Sequence, residues 1–364
     1  MNKNKVLIRP IIFFLIFLTL FIIVSRIFSV NDSPSQMNIK GFFQEPKDSL
    51  DVALIGSSEL YADYAAPLAW DKYKYTSYSI SMGAAPGSVY KIMMESVLRR
   101  QKPKLVVFSL NGFIQGSDKY QDPVELHRWI DNVPWSENRF GIIQEKIPRD
   151  KRAQYYFDII FSHVNWKMPT TVMKNAAEKM CMIKSGQAYT KGICSVSRKD
   201  NGSAIGQVEP IRFDEGCEEA LRELLKSCKE NQIEHVLFIR FPHQRAFSNP
   251  EEMDKITSIV QTYNYDVLNL NDKANELGIS CEEDFSDPEH MNVNGMEKMT
   301  NYLGEYITLN YDVIEPKTDV EEKRWNNCVK KTTAIIEEIR EDLDNGIVRF
   351  YYEASIYWKP VLIK

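Results

Sequence analysis

Two short stretches of this chain, more than two hundred positions apart, carry residue types that could do acyl chemistry together. Gly56-Ser57-Ser58 offers hydroxyls at the end of an apolar run, and Asp287-Pro288-Glu289-His290 offers a carboxylate and an imidazole three residues apart. A serine hydroxyl is a weak nucleophile until a neighbouring base takes its proton, and histidine titrates in the right range to be that base. Asp287 and His290, within one turn, fall on one side of the backbone. The carboxylate can therefore accept from one ring nitrogen, fix the tautomer and leave the other nitrogen for a serine. Gly83 and Asn111, each just after another apolar run, could donate hydrogen bonds to the oxyanion that such chemistry creates. Taken singly these motifs are ordinary turn and cap chemistry; their order and their placement at strand ends set them apart.

The elements around them say how they would be positioned. Asp51 to Ile55 reads as a buried strand running into the Gly56 turn, Tyr75 to Ser81 as a second ending at Met82-Gly83, and Lys104 to Leu110 as a third ending at Asn111-Gly112. A helical stripe of Val89, Ile92, Met93 and Val97 follows Pro86. The pattern resumes with a helix over Asp214 to Glu230, a strand over His235 to Phe241, a helix over 250–263, a strand over Tyr265 to Leu270 and a closing helix over Val293 to Ile307. Near-continuous Val, Ile, Leu and Phe runs alternating with helices predict a parallel sheet covered on both faces, which binds ligands at the carboxyl ends of its strands. Residues 112–212 break the alternation and read as a large, partly helical insertion rich in aromatics. Residues 311–364 read as a packing appendix: a capping box at Thr318 and Glu321, a helix to Asn345-Gly346, and strand-like Ile347 to Tyr352 and Ser355 to Leu362.

In this order the blocks resemble the SGNH (GDSL-type) hydrolase and acyltransferase superfamily. Its Gly-x-Ser turn matches Gly56 to Ser58, its block-two glycine Gly83, its block-three asparagine Asn111, and its final Asp-x-x-His matches Asp287 to His290. The resemblance covers residues 51–111 and 213–310 and implies a three-layer α/β/α, flavodoxin-like fold. It selects Ser58 over Ser57 as nucleophile, with His290 and Asp287 completing the triad. It also implies an oxyanion hole of the Ser58 and Gly83 N–H groups and the Asn111 amide. Ser57 stands where the family commonly has aspartate, and Ser-Leu-Asn-Gly-Phe replaces its usual Gly-x-Asn-Asp. Gly-Ser-Ser-Glu-Leu with an apolar N-terminus looks like the D-alanyl-lipoteichoic acid biosynthesis (DltD) branch. It is similar in plan to tethered SGNH proteins that work with membrane-bound O-acyltransferases (MBOAT-type). The function this implies is O-acyl transfer on an acylated envelope glycan or teichoic acid. The alternatives are an O-acetyl esterase using the same acyl-enzyme and a non-catalytic SGNH-fold scaffold whose contact surface is the insertion (Trp129, Trp135, Tyr155, Tyr156). His243, after a strand, and Glu59, after the nucleophile, are candidate substrate contacts; His127 and His163 read as core or surface.

Composition bounds these readings. The chain has 364 residues, 45 basic against 50 acidic, for a net charge of −5. With no long basic run, that argues against nucleic acid. Its first residues are different: Ile11 to Val24 is wholly apolar but for Thr19, and Lys3, Lys5 and Arg9 precede it. Counted to Val30, with Arg26 snorkelling, the run has roughly the 20 residues a bilayer span needs. A secretory signal peptide is the competing reading, but Val24-Ser25-Arg26-Ile27-Phe28 offers no small-x-small cleavage site. The sequence thus predicts a single-pass anchor over residues 11–30, a cytoplasmic N-terminus, an extracytoplasmic body and a polar stalk over 31–50. Six cysteines include no CxxC or Cys/His cluster, and no HExxH or phosphate-loop pattern occurs, so neither a metal nor a nucleotide cofactor is expected. Cys181 and Cys194 could bridge or could be small buried residues.

Overall fold

The computed structural model describes residues 3–28, 33–117, 123–271 and 273–363. Val30 and the side chains of Lys3, Lys5 and Arg26 lie outside the described residues. Five strands, β1 (Val52–Gly56), β2 (Ser77–Ser81), β3 (Leu105–Ser109), β4 (His235–Arg240) and β5 (Asp266–Asn269), form one parallel sheet in the order β2-β1-β3-β4-β5. Every residue of β1, β2 and β3 is buried, which is why these strands read as unbroken runs and not as alternating ones. The strand order is that of doubly wound sheets whose ligand crevice opens beside β1 and β3.

Helices cover both faces. Val52 and Leu54 point to a core shared with Ala69 of helix Ala66–Tyr73 and with Met299 and Leu303 of helix Val293–Asn310. Ala53 and Ile55 point the other way, to Met93 of helix Gly87–Leu98 and Leu221 of helix Glu215–Glu230. The α/β reading therefore holds, with strand ends shifted by a residue or two.

Residues 31–50 do not behave as a solvated stalk. Helix Ser33–Phe42 buries Met37, Ile39 and Phe42 against the sheet core, and Asn38 donates through Nδ2 to the Gly192 carbonyl at 3.1 Å. Two of the polar residues that suggested a stalk bond to the body instead, Asn38 to Ser81 and Gly192 and Ser35 to Gly83. Nor is 112–212 a separate unit: Trp129, Ile143 and Tyr155 belong to the same core as the sheet, which removes Trp129 and Tyr155 as stacking platforms. Helix Asp319–Asp344 begins at the Thr318–Glu321 capping box and packs Trp325 against Trp70, ring centroids 5.7 Å apart. Strand Arg349–Tyr351 pairs with Ser195–Val196 of the insertion and with Val361–Leu362, whereas Glu353–Ile356 is a 3-10 turn. All six cysteines are free thiols, so Cys181 and Cys194 are not bridged.

Helix Lys3–Phe28 carries its apolar side chains outward over Ile8–Ser25 and is long and apolar enough to cross a membrane.

Candidate active site

Strand β1 ends at Gly56 because nothing larger fits: a Cβ there would lie 2.4 Å from the Ser109 Cβ. The backbone stays extended at Ser57 and then enters the short helix Ser58–Ala62, so Ser58 is its first residue and its N–H has no intrahelical acceptor. Across the rim, Phe285–Asp287 pairs antiparallel with His290–Met291. Asp287 Oδ1 closes the intervening turn by accepting from the Glu289 and His290 N–H groups at 2.9 and 3.0 Å. The same carboxylate lies 3.0 Å from His290 Nδ1 through either oxygen, and His290 Nε2 lies 2.7 Å from Ser58 Oγ. Sequence reasoning put these three residues in one place, and the fold brings them together with an imidazole-to-hydroxyl hydrogen bond of ordinary length.

Charge follows geometry. Burial pushes the His290 imidazole down, but the Asp287 hydrogen bond and charge outweigh it and raise it to about 9. Its side chain is 27% exposed, so water screens part of that upward push. Burial likewise pushes the Asp287 carboxyl up, and the imidazole together with the two turn N–H groups outweighs it, leaving the acid below its ordinary range.

Two residues that sequence reasoning missed hold this pair in register. Asp63, fully buried at the C-terminal cap of helix Ser58–Ala62, accepts through Oδ1 from the Met291 N–H at 2.8 Å. That bond ties the serine's helix to the histidine's strand. Burial raises the Asp63 carboxyl well above the usual range, and its Oδ2 has no hydrogen-bond partner. The second is Arg240, the final residue of β4, which is also fully buried. Its Nη1 donates to Asn111 Oδ1 at 3.0 Å and to Glu59 Oε2 at 3.1 Å, and its Nη2 donates to His243 Nδ1 at 2.8 Å. A guanidinium on Oδ1 fixes which way the Asn111 amide faces, and Nδ2 then donates to Ser57 Oγ at 3.3 Å, beside the nucleophile. A charged residue closing the apolar run His-Val-Leu-Phe-Ile-Arg was the signal available in the sequence.

Three expected roles need correction. Glu59 and His243 are buried beneath the rim, Nε2 of His243 lying 3.3 Å from Glu59 Oε2, and Ser109 Oγ also donates to Glu59. They brace the site and do not face a substrate. The Gly83 N–H donates to Ser35 Oγ at 3.0 Å, so it is committed to helix Ser33–Phe42 instead of an oxyanion. The remaining donors are the Ser58 N–H and the Asn111 amide. Of the other histidines, His127 is buried against Tyr155 with Asp131 on its Nδ1, and His163 is exposed. Among the described residues no three His, Cys, Asp or Glu side chains converge as a metal site.

In sequence the chain matches no family model and no curated protein.

Proposed function

We propose that the protein is a membrane-anchored, extracytoplasmic serine enzyme of SGNH type that moves an acyl group through a Ser58 ester. The observation that carries this reading is the continuous Asp287–His290–Ser58 relay, 3.0 Å and then 2.7 Å, at the carboxyl rim of the sheet. Ser58 Oγ attacks the acyl carbonyl while His290 Nε2 takes its proton, and Asp287 stabilises the imidazolium. The Ser58 N–H and Asn111 Nδ2 stabilise the oxyanion, a donor of this kind contributing about 3 kcal/mol. Collapse of the intermediate returns the proton from His290 to the leaving alcohol. A hydroxyl, activated by the same imidazole, then takes the acyl group from Ser58.

The apolar helix Lys3–Phe28 favours transfer over hydrolysis, because an anchored serine stays beside a membrane-borne donor. The acceptor that fits is a hydroxyl of an envelope glycan or teichoic acid, with an MBOAT-type protein as the donor's source. Water as acceptor makes the same protein an O-acetyl esterase. Fluorophosphonate labelling of the purified full chain tests the chemistry: wild type should label and Ser58→Ala should not, and equal labelling of the two rejects the reading. Acylated polymer added to the labelled and unlabelled enzyme separates transfer from release.

A further inference from the structure

Residues 157–185 of the insertion turn apolar side chains outward around the C-terminal end of helix Lys3–Phe28. Phe157 packs edge-on against Phe21, ring centroids 6.4 Å apart, and Asn165 Nδ2 donates to the Phe28 carbonyl at 2.8 Å. Trp135, Tyr156 and Phe157 together with Leu18, Phe21 and Ile22 line a cleft of about 350 Å3. Leu18 precedes Phe28 by ten residues, about 15 Å of helix, or half of a hydrocarbon core roughly 30 Å thick. A body that grips the span so far back lies in the same layer as the lipid beside it.

The outward chemistry of this flank fits that depth. Helix Pro169–Ser185 buries Val172, Glu178 and Met182 on one side and presents Met173, Met180 and Ile183 on the other. Met180 is 69% exposed and Trp166, just before the helix, 64%. So large an apolar face marks an interaction surface. Its charge names the partner. Residues 157–185 hold four basic and two acidic side chains, a local +2 in a chain of net −5, which leaves −7 for the rest. Lys167, Lys174 and Lys184 are interleaved with the apolar residues and exposed, the arrangement that binds a helix to anionic lipid.

We propose that residues 157–185 form a monotopic flank embedded in the leaflet that surrounds the C-terminal end of the span, apolar side chains among acyl chains and lysines on anionic headgroups. The inference rests on the membrane-anchor part of the function proposed above and is independent of the acyl chemistry. The full chain is reconstituted into vesicles of acyl-brominated phosphatidylglycerol and phosphatidylcholine, and tryptophan quenching is compared between wild type and Trp166→Phe. The chain should float with the vesicles, and Trp166→Phe should lose about half of the quenchable emission, Trp135 supplying the rest. Replacing phosphatidylglycerol by phosphatidylcholine should weaken the quenching. Flotation with identical quenching in both proteins overturns the flank and leaves the anchor standing; failure to float rejects both. Burial of Trp166 in native membranes but not in pure lipid assigns the face to a protein partner and also overturns the proposal. Fluorophosphonate labelling of Ser58, unchanged in Trp166→Phe, reports separately on the active site.

Discussion

The rim of this sheet holds two histidine–carboxylate pairs, one above the other, built from the same residue types and titrating in opposite directions. His290, paired with Asp287 and partly wet, is raised to about 9, whereas His243, sealed under the rim with Glu59, is lowered to about 4. Burial is the largest influence on each and pushes both imidazoles down; the partners make the difference. His290 answers to a carboxylate whose closest other contacts are backbone N–H groups, with the half-exposed Arg198 guanidinium no nearer than 3.9 Å, so a proton on the ring is welcome. At His243, Arg240 already supplies the positive charge that Glu59 needs, and a second one is repelled. The same burial pushes Glu59 up, and the His243 hydrogen bond with the Arg240 charge holds it below its usual range. His290 therefore holds a proton up to about 9 and His243 stays neutral down to about 4, so residue types alone do not set how such a pair titrates; the third charge does.

The comparison breaks most sharply by substitution. Ser58→Ala or His290→Ala should lower acyl turnover by at least about 10⁴-fold, with the thermal midpoint of Ser58→Ala nearly unchanged. His243→Ala should reverse that pattern, lowering the midpoint while fluorophosphonate labelling of the folded fraction survives. Arg240→Ala, read by denaturant unfolding, should cost about 3–5 kcal/mol, because it strands Glu59 as an uncompensated buried charge. Asn111→Ala should slow turnover by about 10²–10³-fold at unchanged stability. A smaller loss would mean that the Ser58 N–H stabilises the oxyanion alone.

Titration sharpens the contrast. A raised imidazole stabilises the fold below its unfolded value of 6.5, and that contribution is lost as pH rises through about 9. A lowered one stabilises above 6.5, and its contribution is lost as pH falls toward about 4. Thermal midpoints of His290→Ala and wild type should therefore converge as pH rises through about 9, and those of His243→Gln and wild type as pH falls toward about 4. The rate of Ser58 labelling should rise with pH between 6.5 and about 9 as His290 becomes neutral. The smallest expected effect is at Asp63. Asp63→Asn, which keeps the shape of the side chain without a charge, should change labelling no more than a few-fold and leave the pH midpoint in place. A midpoint moved to lower pH would show that Asp63 is ionised.

The sheet was legible because parallel strands covered on both faces leave an unmistakable apolar signature at Val52–Gly56 and Leu105–Ser109. Ser58, Asp287 and His290 were legible because each ends an element, where a polar residue among small ones stands out. What brings them together was not. Asp63 acts through a backbone N–H 228 residues away, and no local pattern encodes such a partner. Glu59 and His243 looked like rim residues because sequence shows which strand end a side chain occupies but not whether it turns inward. Residues 33–42 misled for a related reason: Ser, Gln and Asn suggest solvent, yet Asn38 finds its partners inside the fold.

Ser35 Oγ holds the Gly83 N–H, so the first helix after the apolar span is clasped to the lip of the reaction site, and only residues 29–32 separate that helix from the span. Four residues reach about 14 Å when fully stretched. Under the proposed anchoring the nucleophile therefore works at one height, on a leash too short to let it patrol the envelope. On the proposed reading, donor and acceptor would have to travel to Ser58, which could act only on a chain threaded past its doorstep.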